Sequence, residues 1–140
     1  MNENRISGGI AGGVVGGLVF GILMQWMGFM PTVAALVGSD STAVGWVVHA
    51  VLSIAFGIIF AVLLGNLAST YGTGLMWGLL YGVAWWIVGA LWLMPVILGL
   101  SPQFINAFDA MRLTSLFGHA LFGLVLGTVY VWAVHEKINE

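Results

Sequence analysis

Apolar residues dominate four long runs of this chain, and polar residues are confined to its ends and to three connections. Each run has about the twenty apolar residues that an α-helix needs to cross the roughly 30 Å hydrocarbon core of a bilayer. Backbone groups inside lipid must be paired within the protein, so a helix is expected for each run. The pattern predicts four membrane-spanning helices, over residues 7–27, 43–64, 74–93 and 113–135.

Small residues recur at four-residue intervals in all four runs, which places them on one face of each predicted helix. Glycine weakens a helix in water by about 1 kcal/mol, but in lipid a bare helix face lets a second helix approach closely. We predict close helix packing through the following residues: Gly9, Gly13, Gly17, Gly21, Ser53, Gly57, Gly74, Gly78, Gly82, Gly123 and Gly127.

The chain contains two similar hairpins. A shift of seventy positions places His119 on His49, and a shift of sixty-five places Gly74 on Gly9. The predicted fold is an all-α membrane protein, a four-transmembrane-helix bundle made from a duplicated two-helix hairpin. Because each unit has two spans, the copies are parallel repeats with a pseudo-two-fold axis along the membrane normal. They form a single integral membrane domain, residues 1–140, with repeats at 7–65 and 74–135.

The three connections differ in length and polarity. Residues 65–73 form a short uncharged link, which predicts that the second and third spans are antiparallel neighbours. Residues 29–42 are expected to form a polar outer loop. In the longest connection, residues 95–112, apolar side chains from Phe104 to Met111 recur at helical spacing. That spacing predicts a short helix lying in the membrane interface.

Composition places the protein in lipid and excludes several function classes. Of its residues 61% are hydrophobic and 6% are charged, and the mean hydropathy is +1.08. A soluble domain carries roughly 25% charged residues, so the lipid bilayer is the expected surroundings. A net charge of −2 with three basic residues argues against nucleic acid as a partner. With no cysteine, the chain has neither a disulfide framework nor a thiolate site.

The few basic residues set the expected orientation. Both termini lie on one side of the membrane and carry Arg5 and Lys137, whereas the opposite side carries Arg112. The excess of basic residues predicts that both termini are cytoplasmic, in a multi-pass protein of a prokaryotic cytoplasmic (inner) membrane. The histidines would then lie near the outer leaflet.

The second hairpin resembles a known family. Its glycine-rich helix is followed by Met94-Pro95, by LGLSP at residues 98–102 and by Phe117-Gly118-His119; His49 precedes SIAF in the first hairpin. This arrangement is similar to the YagU-type bacterial inner-membrane proteins and their small four-span relatives, in which a histidine follows an outer loop in each half. The similarity covers most of the chain and is most specific at residues 95–102 and 117–119. It implies an inner-membrane four-helix protein, and it supplies no mechanism because the family has no settled biochemical activity.

Two histidines form the centre of the candidate site. His49 and His119 occupy equivalent places in the two hairpins, so the pseudo-symmetry puts them at one depth, and the small residues that follow each one turn them inward. Ionisable groups inside a membrane usually face the bundle or a cavity. Asp40 and Asp109 precede the histidines by nine and ten residues and could lie over them from the outer loops. The candidate ligand or proton site is therefore His49, His119, Asp40 and Asp109.

Several interpretations of this site remain open. Each histidine could hydrogen-bond a nearby carbonyl or serine and brace a loop. The pair could instead ligate haem b or a divalent metal, with the carboxylates behind them and with Gly118 and Gly123 leaving room for a ring. A proton or ion channel or transporter is the third interpretation, since histidine titrates near neutral pH.

Catalysis lacks the necessary parts, because the spans carry no HExxH motif, no nucleophile–base pair and no carboxylate couple. Trp85 and Trp86 lie too deep for an interfacial belt and indicate a helix–helix or subunit contact. The sequence therefore favours a non-enzymatic small polytopic membrane protein with a paired-histidine site near the outer leaflet. Its expected partners are copies of itself or other membrane subunits, in a homo-oligomer or a larger membrane complex.

Overall fold

Helices are the only regular secondary structure in the part of the chain that the structure describes, residues 3–136 of 140, and turns and short loops join them. The structure is a computed structural model. Lys137, on which the predicted orientation partly depends, lies outside the described residues. In chain order the elements are α1 (Glu3–Trp26), α2 (Met30–Ala35), α3 (Thr42–Leu63), α4 (Tyr71–Trp85), a π-helical segment (Trp86–Leu93), α5 (Met94–Ile97), a 3₁₀ turn (Phe104–Asn106) and α6 (Ala110–Glu136).

Four helices are long and apolar enough to cross a membrane, which confirms the prediction of an all-α protein with four candidate spans. The third of them joins α4, the π-helical segment and α5 into one continuous rod. We call the end of the bundle that carries α2 and residues 98–109 the loop end, and the opposite end the terminal end. The four spans are Glu3–Trp26, Thr42–Leu63, Tyr71–Ile97 and Ala110–Val134.

The spans are not packed evenly around the bundle. Helix α1 lies closely against both α3 and α6, and α6 also lies closely against α4. Helices α3 and α4 are not closely packed, although only a short link joins them. These two spans, predicted to be antiparallel neighbours, therefore touch through side chains, and their backbones do not pack closely. The bundle is open along the line between α3 and α4.

Glycine on two faces of α1 allows both of its close contacts. A Cβ atom built on Gly12 would lie 2.7 Å from the carbonyl oxygen of Leu126 on α6. A Cβ atom on Gly13, on the neighbouring face, would overlap the backbone of Ser53 on α3. Because a real Cβ does not approach a backbone oxygen so closely, any larger residue at either position would push the helices apart.

The contact between α4 and α6 is made in the same way. A Cβ on Gly78 would overlap the carbonyl group of Gly123, and a Cβ on Gly123 would overlap that of Gly78. One turn away, a Cβ on Gly74 would lie 2.8 Å from the carbonyl oxygen of Gly127. At these pairs only the hydrogen atoms of the glycines lie between the two backbones.

Aromatic side chains hold α4 away from α3. The hydroxyl of Tyr81 donates a hydrogen bond to the carbonyl oxygen of Phe56, at 2.6 Å, and its ring packs edge-on against Phe60. The ring of Trp85 stacks on Phe56 with ring centroids 4.0 Å apart. Trp85 thus lies at a helix–helix contact, one of the two positions that the sequence favours for it. The width of these rings keeps the two backbones apart.

The first outer connection contains a helix that the sequence analysis misses. Helix α1 ends at Trp26, and the chain turns at Gly28, whose φ of +74° is readily adopted only by glycine. Helix α2 begins two residues later with Met30 and Pro31. Met30 is fully buried, because Gly45 on α3 offers no side chain and lets the Met30 backbone lie directly on it. Helix α2 therefore covers α3 at the loop end.

The predicted interfacial helix between Phe104 and Arg112 is wrong. Only a 3₁₀ turn forms at Phe104–Asn106, and α6 then begins at Ala110. The reason is Asp109, whose carboxylate accepts the backbone N–H of Arg112 at 2.8 Å and caps a new helix. The apolar residues of this segment still point outward, and Ile105 is 98% exposed.

Candidate functional site

A cavity of about 500 Å³ lies at the loop end, between α3, the π-helical segment and α6, with Phe20 of α1 in its wall. Most of its lining is apolar, from side chains such as Met24, Phe56, Trp85 and Phe122. This volume is within the range of small-molecule sites in proteins, which are typically apolar with a few placed polar groups. Its polar lining consists of Thr32, His49, Ser53, Gln103, Arg112, Ser115 and His119.

His49 enters the cavity wall from α3 and is 8% exposed. Its Nε2 atom lies 2.8 Å from the carbonyl oxygen of Gly17 on α1. Because a carbonyl only accepts, Nε2 carries the proton and donates it, which leaves Nδ1 as a lone pair. A Cβ on Gly21 would lie 3.1 Å from the His49 ring, so glycine there leaves room for the imidazole beside α1. The hydrogen bond to Gly17 then ties the two helices together.

His119 enters the same cavity from α6 in the opposite tautomer. Its Nδ1 atom lies 2.8 Å from the carbonyl oxygen of Ser115, one turn earlier, and must donate to it. Nε2 is therefore the unprotonated nitrogen. In the helix α6 the residues Arg112, Ser115 and His119 are spaced three and four apart, so they form a polar stripe along the face that lines the cavity.

Phe20 brings the two histidines to one level of the bundle. Its ring centroid lies 5.7 Å from that of His49 and 4.9 Å from that of His119, with an edge-on geometry in both contacts. Phe20 itself fits against α6 because Gly118 has no side chain; a Cβ there would overlap the phenyl ring. Both imidazoles thus contact one aromatic ring and line one cavity.

The remaining nitrogen of each histidine borders open space. Within residues 3–136, neither Nδ1 of His49 nor Nε2 of His119 makes a hydrogen bond. Among residues 3–134, however, no side-chain nitrogen or oxygen that is sealed from solvent lacks a partner. The two nitrogens are therefore not enclosed by packed atoms. Each is an acceptor with accessible surface, on a histidine that lines the cavity.

Arg112 and Gln103 mark the mouth of the cavity. The guanidinium of Arg112 pairs with the carboxylate of Asp109 and donates to the side-chain oxygen of Gln103. Gln103 is itself fixed by its backbone N–H, which donates to the carbonyl oxygen of Leu91 at 2.7 Å. That carbonyl is free to accept because Pro95, four residues later, has no N–H to donate. The proline and the π-helical segment thus position the polar mouth.

The structure brings the two predicted histidines together, but it does not bring the carboxylates to them. Asp109 is exposed, caps α6 and pairs with Arg112. Asp40 is exposed in the link between α2 and α3. Across the described chain, no hydrogen bond or ion pair joins either carboxylate to His49 or His119.

The space that the sequence analysis reserves for a haem ring at two glycines is filled. Phe20 occupies the space at Gly118, and the backbone of Gly78 occupies the space at Gly123. Within residues 3–136, no three histidine, cysteine, aspartate or glutamate side chains are grouped so that they could hold a metal ion. The haem and metal interpretations gain no support from this geometry.

Below the cavity, side chains fill the centre of the bundle. Phe60, Leu126 and Tyr130 are almost completely buried between the helices toward the terminal end. Arg5 closes that end by donating to the carbonyl oxygen of Ala61 at 3.0 Å and to the hydroxyl of Tyr130 at 3.3 Å. The cavity therefore opens toward the loop end and the side of the bundle rather than through it.

Sequence reasoning misses most of the cavity lining, including Phe20, Gln103, Arg112 and Ser115. The spacing of Arg112, Ser115 and His119 on one helix face is a signal that could have identified two of them. Phe20 and Gln103 reach the site through contacts between distant segments, which periodicity does not reveal.

Comparisons with known proteins do not extend this description. No protein-family model matches the sequence, and neither the curated proteins nor the solved structures contain a significant match.

Proposed function

We propose that this chain is a small, non-enzymatic polytopic membrane protein that binds an apolar ligand in the cavity at its loop end. The observation that carries the proposal is the cavity itself, about 500 Å³ of largely apolar space bordered by two histidine acceptors. A well-packed helical bundle has few voids larger than a water molecule, so a space of this size at one end is a feature to be explained.

Access from the bilayer supports an apolar ligand. Leu52 on α3 and Leu93 on the π-helical segment both line the cavity and are both exposed on the surface of the bundle. Helices α3 and α4 are not closely packed between them. An apolar molecule dissolved in the membrane could therefore enter sideways, without crossing the polar mouth at Arg112.

The competing functions have less support. A channel would need a path through the terminal half of the bundle, where Phe60 and Tyr130 fill the interior. A serine nucleophile at Ser115 would need His119 as its base, but the proton of His119 Nδ1 is directed to the Ser115 carbonyl. Binding without chemistry is the simpler use of this site.

Further parts of the proposal come from the sequence. We propose a duplicated hairpin, and equivalent contacts support it: Gly13 packs on Ser53 in the first hairpin as Gly78 packs on Gly123 in the second. The bacterial inner membrane, cytoplasmic termini, relationship to the YagU-type family and membership of a homo-oligomer or larger complex stay predictions. The oligomeric mass in mild detergent tests membership of a homo-oligomer or larger complex. The metal and haem content of the same preparation tests the cofactor interpretation.

A cavity-filling variant tests the binding function. Gly89 lines the cavity, and a Cβ there would approach no atom closer than 3.9 Å, so Gly89→Leu should project into the cavity and narrow it without disturbing the helices. With protein in lipid nanodiscs, we expect an alkyl diazirine probe to label the parent saturably at cavity residues. We expect at least tenfold weaker labelling in Gly89→Leu, since the probe's site is occupied by protein.

Gly72→Leu is the matched control. Gly72 lies on the same span, a Cβ there also has open space, and the position is outside the cavity. This variant should label like the parent. Non-saturable labelling of the parent, or equal labelling of all three proteins, would show that the cavity binds no apolar ligand.

A further inference from the structure

The hydrogen-bonding state of His119 points to a narrower ligand class. We propose that the ligand is an apolar molecule with a hydroxyl group, and that this hydroxyl donates a hydrogen bond to Nε2 of His119. The inference rests on the proposed function, because it concerns the ligand of the same cavity.

The tautomer of His119 decides which ligand groups match it. Its Nδ1–H donates to the Ser115 carbonyl oxygen at 2.8 Å, so the neutral ring has no second proton and Nε2 can only accept. A ligand hydroxyl, which donates, completes the pair. An ether, ketone or ester oxygen at the same place also only accepts, so it could not form a hydrogen bond with Nε2.

In the part of the chain that the structure describes, no polar group of the cavity wall donates a hydrogen bond to Nε2 of His119. The hydroxyl of Ser53 donates to the carbonyl oxygen of His49 at 2.7 Å. The guanidinium of Arg112 is engaged by Asp109 and by Gln103 at the mouth. The acceptor at His119 is thus left for a molecule that enters the cavity.

The surroundings of Nε2 make such a bond selective. His119 lies against the ring of Phe20, and Phe122 continues the apolar lining one turn below it. A hydrogen bond in a water-poor site is strengthened, and an acceptor left without a donor there is costly. Discrimination between a hydroxyl and its methyl ether should therefore be roughly tenfold.

Competition against the diazirine probe tests the assignment. In nanodiscs containing the parent protein, 4-octylphenol and 1-dodecanol are each compared with their methyl ethers as competitors, which separates phenolic from aliphatic hydroxyls. We expect a roughly tenfold preference for at least one hydroxyl compound, falling to near parity in His119→Leu. Thr114→Leu, an exposed position on the same helix, should keep the preference. The parent and the variants are compared in the same membranes, so differences in how the competitors partition into lipid affect all of these proteins equally.

The outcomes separate this inference from the proposed function. If alcohols and ethers compete equally with the probe in the parent, the cavity binds apolar molecules but the hydroxyl assignment is wrong. If none competes and labelling is unaffected by Gly89→Leu, the proposed function itself fails. Should His119→Leu not fold, nitrogen NMR of ¹⁵N-histidine-labelled parent protein replaces it: the Nε2 resonance of His119 should shift with the phenol and not with its ether. An unchanged resonance at saturating phenol overturns the inference.

Discussion

Gly78→Leu is expected to separate α4 from α6 and to lower the free energy of unfolding by about 3 kcal/mol, at the upper end of the range for overpacked sites. The cost is high because the new side chain meets the backbone carbonyl of Gly123 rather than a flexible side chain. A carbonyl in a helix cannot rotate away without breaking its own hydrogen bond. Titration of the purified protein with a denaturing detergent, followed by tryptophan fluorescence, measures the change.

Gly72→Leu serves as the control for this prediction as well. It makes the same substitution on the same span, at a position where a Cβ has open space. We expect its free energy of unfolding to stay within about 0.5 kcal/mol of the parent value, as for most surface changes. If Gly78→Leu were as stable as Gly72→Leu, the close approach of α4 and α6 would not exist.

Phe20→Ala should be the second large effect, a loss of about 3–5 kcal/mol in the free energy of unfolding. Phe20 is 7% exposed and contacts both histidines and the space over Gly118. Truncation removes those contacts and leaves a hole that helix backbones cannot close, since they are already held by glycine contacts. The same detergent titration measures this loss.

Phe117→Ala provides the comparison for Phe20→Ala. Phe117 lies next to Gly118 in sequence but is 61% exposed on the outside of α6. In lipid its ring has no interior contact to lose, so a change below about 1 kcal/mol is expected. Equal losses in the two phenylalanine variants would mean that Phe20 does not lie inside the bundle.

The number and type of the long helices could be predicted from the sequence, because run length and apolar content decide whether a segment can cross a bilayer. The direction in which the histidines point could also be predicted from the sequence. His49 lies four residues before Ser53, so a pattern of small residues indicates the face that carries the imidazole. Both inferences depend only on residues within one helix.

The cavity could not be predicted, because it depends on which helices approach one another. A shift of sixty-five positions aligns Gly12 with Trp77 and Gly16 with Tyr81. The glycines let α6 reach α1, whereas Tyr81 holds α3 away from α4. The two contacts between the proposed hairpins, α1 with α6 and α3 with α4, are therefore unlike in width. The helical periodicity within each span does not show how far apart two neighbouring helices will lie.

Local capping accounts for the errors in the connections. Periodicity from Phe104 to Met111 resembles a helix, but Asp109 caps α6 and ends any continuous helix there. The short helix α2 was missed because its six residues are too few to form a pattern. Its stability comes from Met30 lying on Gly45, a contact between two segments that sequence inspection treats separately.

Intramolecular cross-linking is the most direct test of the central claim that His49 and His119 face one another across one cavity. The chain has no cysteine, so a His49→Cys/His119→Cys double variant offers a single reactive pair. Val47→Cys/Phe117→Cys is the control, since these side chains are 64% and 61% exposed on the outside of the same two helices. With a short bis-maleimide in nanodiscs, we expect a cross-link within one chain for positions 49 and 119 and none for 47 and 117. A cross-link for the outer pair alone would contradict it.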